Sequence, residues 1–370
     1  MRKRIVRYFV PLALLGLVAA ACSNNNDNAG DGGSASSSSS SSAVPCNADI
    51  KVGVAFDVGG LGDKSFNDAA NTGVQEAIAG GLVCAGNVTV NEANATGSDR
   101  DQNIQALADA GFNLVVGVGF AFSPGINTIA PDYPDTSFMV VDGYATCGTA
   151  CGLDNDDLTK VADFTFKEQE GSFLVGAAAA IKCACDTIGF LGGQTGPLIG
   201  KFEAGYTAGA MAVNPSIKVL VEYIGDDVTA FNDPVKGEAL STKMYDAGAE
   251  IVYHASGASG AGLFNAAVKA NKLAIGVDSD QYLTASAEQQ PLILTSMIKR
   301  VDTAVQTAIS EVGDGTFAAG GKVFSLADEG LDYSASNTAE LTQDIIDQLE
   351  VFRQKIISGE IVVPEDPTKV

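Results

Sequence analysis

The chain has 370 residues, with 22 Lys and Arg against 45 Asp and Glu, a formal net charge of −23 at pH 7. An acidic surface of that size excludes nucleic acid as a partner and excludes adsorption to anionic lipid by charge. A single histidine, His254, leaves no His-rich metal cluster, no cofactor is expected, and the length suffices for two domains of ordinary size.

The N-terminus points to export. Arg2, Lys3, Arg4 and Arg7 form a basic segment, Tyr8 to Ala21 is apolar apart from Pro11 and Gly16, and Ala19-Ala20-Ala21 precede Cys22. This is the layout of a signal peptide over 1–21. The apolar run is shorter than the roughly 20 residues of a membrane span. Small residues directly before Cys22 resemble a bacterial lipobox, so cleavage before Cys22 and attachment of lipid (palmitate) there are expected. Plain secretion with Cys22 incidental is the alternative. Two or three acyl chains anchor a protein where one is marginal. Residues 22–45 carry an unbroken Ser36–Ser42 run and almost nothing apolar, and are expected to form a disordered tether. The expected place is the extracytoplasmic face of the cell membrane, held by lipid.

The folded part opens at Lys51–Phe56, an apolar strand pattern. It is followed by the loop Gly59-Gly60-Leu61-Gly62 and a helix from near Phe66. In open parallel sheets ligands bind past the carboxyl ends of strands. That rule places Asp57, Asp63, Ser65, Phe66 and Asn67 at the mouth of a cleft. Acid, amide and aromatic together suit a small neutral polar ligand with a flat ring. Further strands are predicted at Asn87–Asn91, Asn113–Gly117 and Ser137–Asp142, with helices from near Asp99 and Ser123. A second set runs Thr187–Leu191, Lys218–Ile224, Glu250–Ala255 and Leu273–Val277, with helices near Glu168, Ile199, Pro234 and Gly260. This alternation implies βαβ units and parallel sheets in an α/β protein of two lobes.

Setting Cys22 aside, six cysteines remain: Cys46, Cys84, Cys147, Cys151, Cys183 and Cys185. An even number in an exported chain suggests disulfides. Cys46 and Cys84 each precede a predicted strand, and neighbouring strand starts would pair them. Cys147–Cys151 would close a short loop. Cys183 and Cys185 could pair only with strain, which leaves a cross-link to the 147/151 loop as the alternative. The absence of a C-x-x-C pair, with no His nearby, argues against metal. Asp154-Asn155-Asp156-Asp157 lacks the Gly and Glu of an EF-hand loop and reads as a solvated loop.

Enzymatic motifs fail on detail. Gly196 to Phe202, GPLIGKF, has the wrong glycine spacing for a phosphate loop and Phe202 where Ser or Thr must hold magnesium. Ser296-Met297-Ile298-Lys299 is S-x-x-K without its companion motifs. The lone His254 reads as a packed, hydrogen-bonded residue.

A series of segments resembles the basic membrane protein family of bacterial substrate-binding lipoproteins. They are Asp57 with Asp63-Lys64-Ser65-Phe66-Asn67, Val140-Val141-Asp142-Gly143, Phe166 to Leu174, Ile188 to Gly193, Phe202 to Tyr206, Asp233 to Gly237, Ile275 to Gln281 and Thr295 to Lys299. Their number, order and spacing carry the resemblance. It implies a type I periplasmic-binding-protein fold, with two doubly wound lobes joined by three hinge segments. The crossings would fall near Val161–Phe166, Leu292–Ser296 and Lys322–Ser325. Lobe one would comprise 46–160 plus about 283–320, and lobe two 161–282 plus about 321–362. The implied role is capture of purine nucleosides (inosine, guanosine or adenosine) for an ABC permease by a monomer without enzymatic activity. Phe66 and Phe231 would stack on the base, and Asp57 and Asn67 would address its edge. Asp142, Asp278 and Lys299 would bind ribose, with Gly257 admitting backbone close to the sugar. A surface interaction protein, or a receptor for another small ligand such as a sugar, is the alternative.

Overall fold

The computed structural model describes residues 45–370, so the expected signal peptide, Cys22 and nearly all of the tether lie outside the described residues. Lobe one runs β1 (Val52–Phe56), α1 (Phe66–Ala79), β2 (Val88–Glu92), α2 (Arg100–Asp109), β3 (Leu114–Val118), α3 (Ser123–Ile129), β4 (Ser137–Val141) and β5 (Val161–Phe166). The chain then crosses to lobe two. There it forms α4 (Glu168–Cys183), β6 (Thr187–Gln194), α5 (Pro197–Val213), β7 (Lys218–Gly225), α6 (Pro234–Asp246), β8 (Ile251–Ala255), α7 (Gly260–Ala270), β9 (Leu273–Asp278), α8 (Gln281–Thr284) and β10 (Ile293–Lys299). It returns to lobe one for α9 (Val301–Gly313) and β11 (Gly320–Phe324), and ends in lobe two with β12 (Leu331–Tyr333) and α10 (Gln343–Ile357).

The two sheets have matching orders, β11-β5-β4-β3-β1-β2 and β12-β10-β9-β8-β6-β7. All pairs are parallel except β12 on β10. Every residue of β1, β3 and β4 is buried, because helices cover both faces of a parallel sheet and leave no side for water. The edge strand β2 is correspondingly more polar and half exposed. Late α9 packs on early α1: a Cβ on Gly73 would lie 2.3 Å from the Asp302 carbonyl oxygen. In lobe two, α4 and α5 approach as closely, since a Cβ on Gly209 would lie 1.9 Å from the Phe173 carbonyl oxygen.

The expected lobe boundaries move by one strand at each crossing. β5 pairs with β4 in the first sheet, β10 pairs with β9 in the second, and β11 pairs with β5 in the first. Each crossing strand completes its ladder with the sheet it leaves before the chain passes over. Lobe one is therefore 46–166 plus 301–324, and lobe two is 167–300 plus the residues from 325 onward.

The disulfides join Cys46 to Cys84, Cys147 to Cys151 and Cys183 to Cys185. The third replaces the alternative cross-link to the 147/151 loop. Helix α4 ends at Cys183, and Ala184 takes a left-handed backbone (φ +44) that turns Cys185 back beside it. The acidic loop is pinned internally: the Thr149 amide donates to Asp156 (2.7 Å), and Asn155 pairs with Asn127. Among the described residues no group of His, Cys, Asp and Glu could hold a metal ion, and no helix is long and apolar enough to cross a membrane.

Candidate functional site

The carboxyl ends of β1, β3 and β4 face those of β6, β8 and β9 across the interlobe cleft. A cavity of about 640 Å³, open mouth included, lies between them. Its wall contains Asp57, Phe66, Asn67 and Asp142 from lobe one and Phe231, Gly257, Asp278 and Lys299 from lobe two. The eight expected ligand contacts thus line one cavity, with Asp63 beside them and Ser65 outside the lining.

The loop after β1 is built by its own acids. Asp63 accepts hydrogen bonds from the Ser65, Asn67 and Asp68 amides (2.9, 2.9 and 3.1 Å), satisfying the free N–H groups that open α1. The Asn67 amide group donates to Asp63 (3.0 Å), and its Oδ1 accepts from the Asp57 amide (3.2 Å). Asn67 therefore ties strand to helix and turns toward the cavity only what remains of its amide. Asp57 Oδ1 accepts from Arg100 Nε at 2.6 Å and from the Val58 amide at 2.7 Å. Burial raises the Asp57 carboxyl above its ordinary value, although the Arg100 guanidinium works against it. Asp63 is raised likewise by burial, with the helix amides opposing.

Lys299 is the electrostatic centre. It ends β10, is only 2 % exposed, and pairs with Asp142 Oδ2 at 2.6 Å and Glu168 Oε1 at 3.1 Å. The rings of Phe66, Phe166 and Phe202 lie 5.3, 4.9 and 5.5 Å from its ammonium, a cation–π cage that holds it in place. Burial alone would lower its pKa, but Asp142, Glu168 and Asp278 together hold it above the ordinary lysine value. Asp142 and Asp278 occupy matching positions, just past β4 and at the end of β9 in sheets of the same order. Both have left-handed backbones (φ +58 and +66), a conformation Asp tolerates and functional sites collect. Asp142, which lines the cavity, keeps one buried oxygen, Oδ1, without a hydrogen-bond partner. Asp278 accepts from Ser65 Oγ at 2.5 Å. Burial pushes its carboxyl up to about 7, with Lys299 and Ser65 pulling the other way.

Phe66 and Phe231 reach the cavity from opposite lobes. Glycine shapes the second of these positions. A Cβ on Gly193 would lie 2.4 Å from the Phe231 ring, and Gly257 (φ +55) passes beside the Phe231 backbone. His254 does not line the cavity. It is a fully buried residue of β8, and burial holds it down to about 4, although its bond to Gln281 works in the other direction.

Several contributors were not recognised in the sequence as site residues. Phe202, Leu198 and Ile199 line the cavity from the first turns of α5. The strand-end rule applied to β6 would have found them. Glu168, fully buried, bridges Lys299 and Lys201 (3.1 and 3.2 Å). Nothing in its sequence setting separates it from an ordinary exposed helix-start acid. The site as a whole offers flat apolar faces from both lobes beside a compact set of charged donors and acceptors.

Residues 50–367 match the family model of PnrA-like ABC transporter substrate-binding proteins, named Bmp. The chain is 32 % identical over 336 residues to a CD4+ T-cell-stimulating antigen of Listeria monocytogenes, covering 86 % of this chain and 89 % of that one. It is 31 % identical to the ABC transporter nucleoside-binding protein BmpA of Lactococcus lactis, covering 85 % and 89 %. A crystal structure of an Aeropyrum pernix ABC transporter solute-binding protein superposes with a TM-score of 0.70 at 28 % identity, over 86 % of this chain and 94 % of that one. The fold is the type I periplasmic-binding-protein fold. The chain belongs to the Bmp family of ABC transporter substrate-binding proteins, which act outside the cytoplasm and are not enzymes.

Proposed function

We propose that this protein captures a purine nucleoside in the interlobe cleft and delivers it to an ABC permease, acting as a monomer held to the membrane by lipid on Cys22. The observation that carries the reading is the convergence of Phe66 and Phe231, from opposite lobes, on a cavity that also holds Asp142, Asp278 and Lys299. The rings stack on the two faces of the base, at about 1–3 kcal/mol each on the scale of base–aromatic stacking. Asp57 and Asn67 address the base edge. Asp142 and Asp278 accept from ribose hydroxyls, Lys299 donates to ribose oxygens, and Gly257 lets the backbone approach the sugar. The lobes close over the ligand, and the closed form docks on the permease. A ligand with a nucleoside's donors fills the open valence of Asp142 Oδ1, which a buried acceptor otherwise leaves at a cost.

The test is isothermal titration of residues 45–370, unfolded and refolded to strip carried ligand, against inosine, guanosine, adenosine, pyrimidine nucleosides and ribose. Tight binding of a purine nucleoside with ribose silent is the expected result. Silence across the panel from a cooperatively folded protein contradicts the reading, and binding of free sugars alone moves the protein to another ligand class.

A further inference from the structure

One rim of the cleft is stitched across the lobes. On the lobe-one side stand Lys64 and Ser65, between β1 and α1; on the lobe-two side stand Asp278 to Thr284, the end of β9 and α8. Gln281 Nε2 donates to the Lys64 carbonyl (3.1 Å), Ser279 Oγ to the Ser65 carbonyl (3.3 Å), and Lys64 Nζ to the Thr284 carbonyl (3.1 Å). Lys64 sits in the left-handed region (φ +54), unusual for a lysine and found at functional positions.

A fourth bond on this rim, Ser65 Oγ to Asp278, belongs to the ligand site; among the other three, Gln281 is the buried one and is oriented from behind. Its Oε1 accepts from the Val277 amide at 2.8 Å, a partner that can only donate; its Nε2 meets the Lys64 carbonyl, a partner that can only accept. These two contacts fix which way the amide points. His254 Nε2 lies 2.8 Å from the same Oε1, so it carries the proton there, and Nδ1 accepts from Ser256 Oγ at 3.2 Å. Gly260 leaves room for that imidazole, since a Cβ would lie 2.0 Å from the ring. Neither Gln281 nor His254 lines the ligand cavity.

We propose that Gln281, oriented by His254 and the Val277 amide, is the closure latch of this protein: it holds the shut lobes together through Lys64 and so sets ligand residence without touching ligand. The two residues are positioning residues. The affinity part of the inference rests on the nucleoside reading above; the closure part does not.

The experiment compares wild type with Gln281→Leu by stopped-flow nucleoside binding and by small-angle scattering with and without nucleoside. The latch predicts a dissociation rate raised about tenfold or more, an association rate within about twofold, and a more open envelope. A merely structural role would lower the unfolding temperature without this split between rates. Unchanged dissociation with an unchanged envelope overturns the latch. Should Gln281→Leu fail to fold, Gln281→Glu keeps the Oε1 that accepts from the Val277 amide and His254 and removes only the donor to the Lys64 carbonyl. A dissociation rate raised about threefold then supports the latch, and an unchanged one overturns it. If wild type binds no nucleoside, the nucleoside reading fails, and scattering of the free proteins alone decides the closure part: a variant no more open than wild type overturns it.

Discussion

Replacing Lys299 by Met removes the buried cation while keeping an unbranched side chain of similar length among the rings of Phe66, Phe166 and Phe202. The change is therefore mainly one of charge. Lys299 is 2 % exposed, and its partners are as deep, with side-chain exposures of 5 % for Asp142 and 0 % for Glu168. Breaking a buried pair by removing one partner costs about 3–5 kcal/mol, because the other charge is left uncompensated. Here Asp142 loses its ion-pair partner while Glu168 keeps Lys201, so a loss within that range is expected near pH 8. The penalty depends on pH with a definite sign. Burial already raises Asp142 above 3.8, and Lys299 opposes that rise. Without Lys299 the folded-state value climbs further, so between the unfolded value and the new folded one the folded variant binds more protons than the unfolded chain. Its stability then falls as pH rises through that window. Urea unfolding of wild type and Lys299→Met at pH 5 and pH 8 measures this. The expected loss is clearly larger at pH 8. A loss under about 1 kcal/mol at pH 8, or one equal at both pH values, would refute the assignment of Lys299 as the charge that balances the cleft.

Phe66→Ala and Phe231→Ala should each weaken purine nucleoside binding by about 1–3 kcal/mol, roughly five- to 150-fold, in isothermal titration; affinity unchanged in both would remove the stacking pair. Asp278 has a folded-state value raised from 3.8 to about 7, so its carboxyl favours the folded state most at low pH, and this contribution is lost as pH rises from about 4 to 7. Asp278→Asn should abolish that slope, worth at most about 4 kcal/mol, in urea titrations across the window; an identical slope in both proteins would show that another group titrates. Gly209→Val should lower the unfolding temperature sharply because α4 and α5 cannot separate without opening the lobe-two core; a change of only a degree or two would contradict the close approach.

Much of this arrangement is legible in the sequence, and the limits have physical causes. Strands β1, β3 and β4 are readable because burial on both faces demands continuous apolar runs. Asp142 and Asp278 are readable through the family resemblance, and both stand at strand ends, where a parallel sheet presents its ligand edge. Arg100 is different. It sits in the first turn of a half-exposed helix, and only the fold brings it to Asp57. Glu168 and Lys201 are hidden for the same reason: only the packing of α4, α5 and the end of β10 places Glu168 between Lys201 and Lys299. The crossing strands were identified from the resemblance but their lobe membership was displaced, because hydrophobic pattern marks a strand and not the sheet it joins. The Cys183–Cys185 pairing turned on one left-handed backbone at Ala184, which residue type does not announce.

The central claim is that two aromatic rings and one charged cluster, contributed by opposite lobes, form a single nucleoside site. A crystal structure of the refolded protein grown with the purine nucleoside that binds most tightly tests it most directly. The account predicts the base lying between Phe66 and Phe231, with ribose hydroxyls on Asp142 and Asp278 and a ribose oxygen on Lys299. A nucleoside bound elsewhere, or seated in the cleft with neither ring against the base, would contradict it.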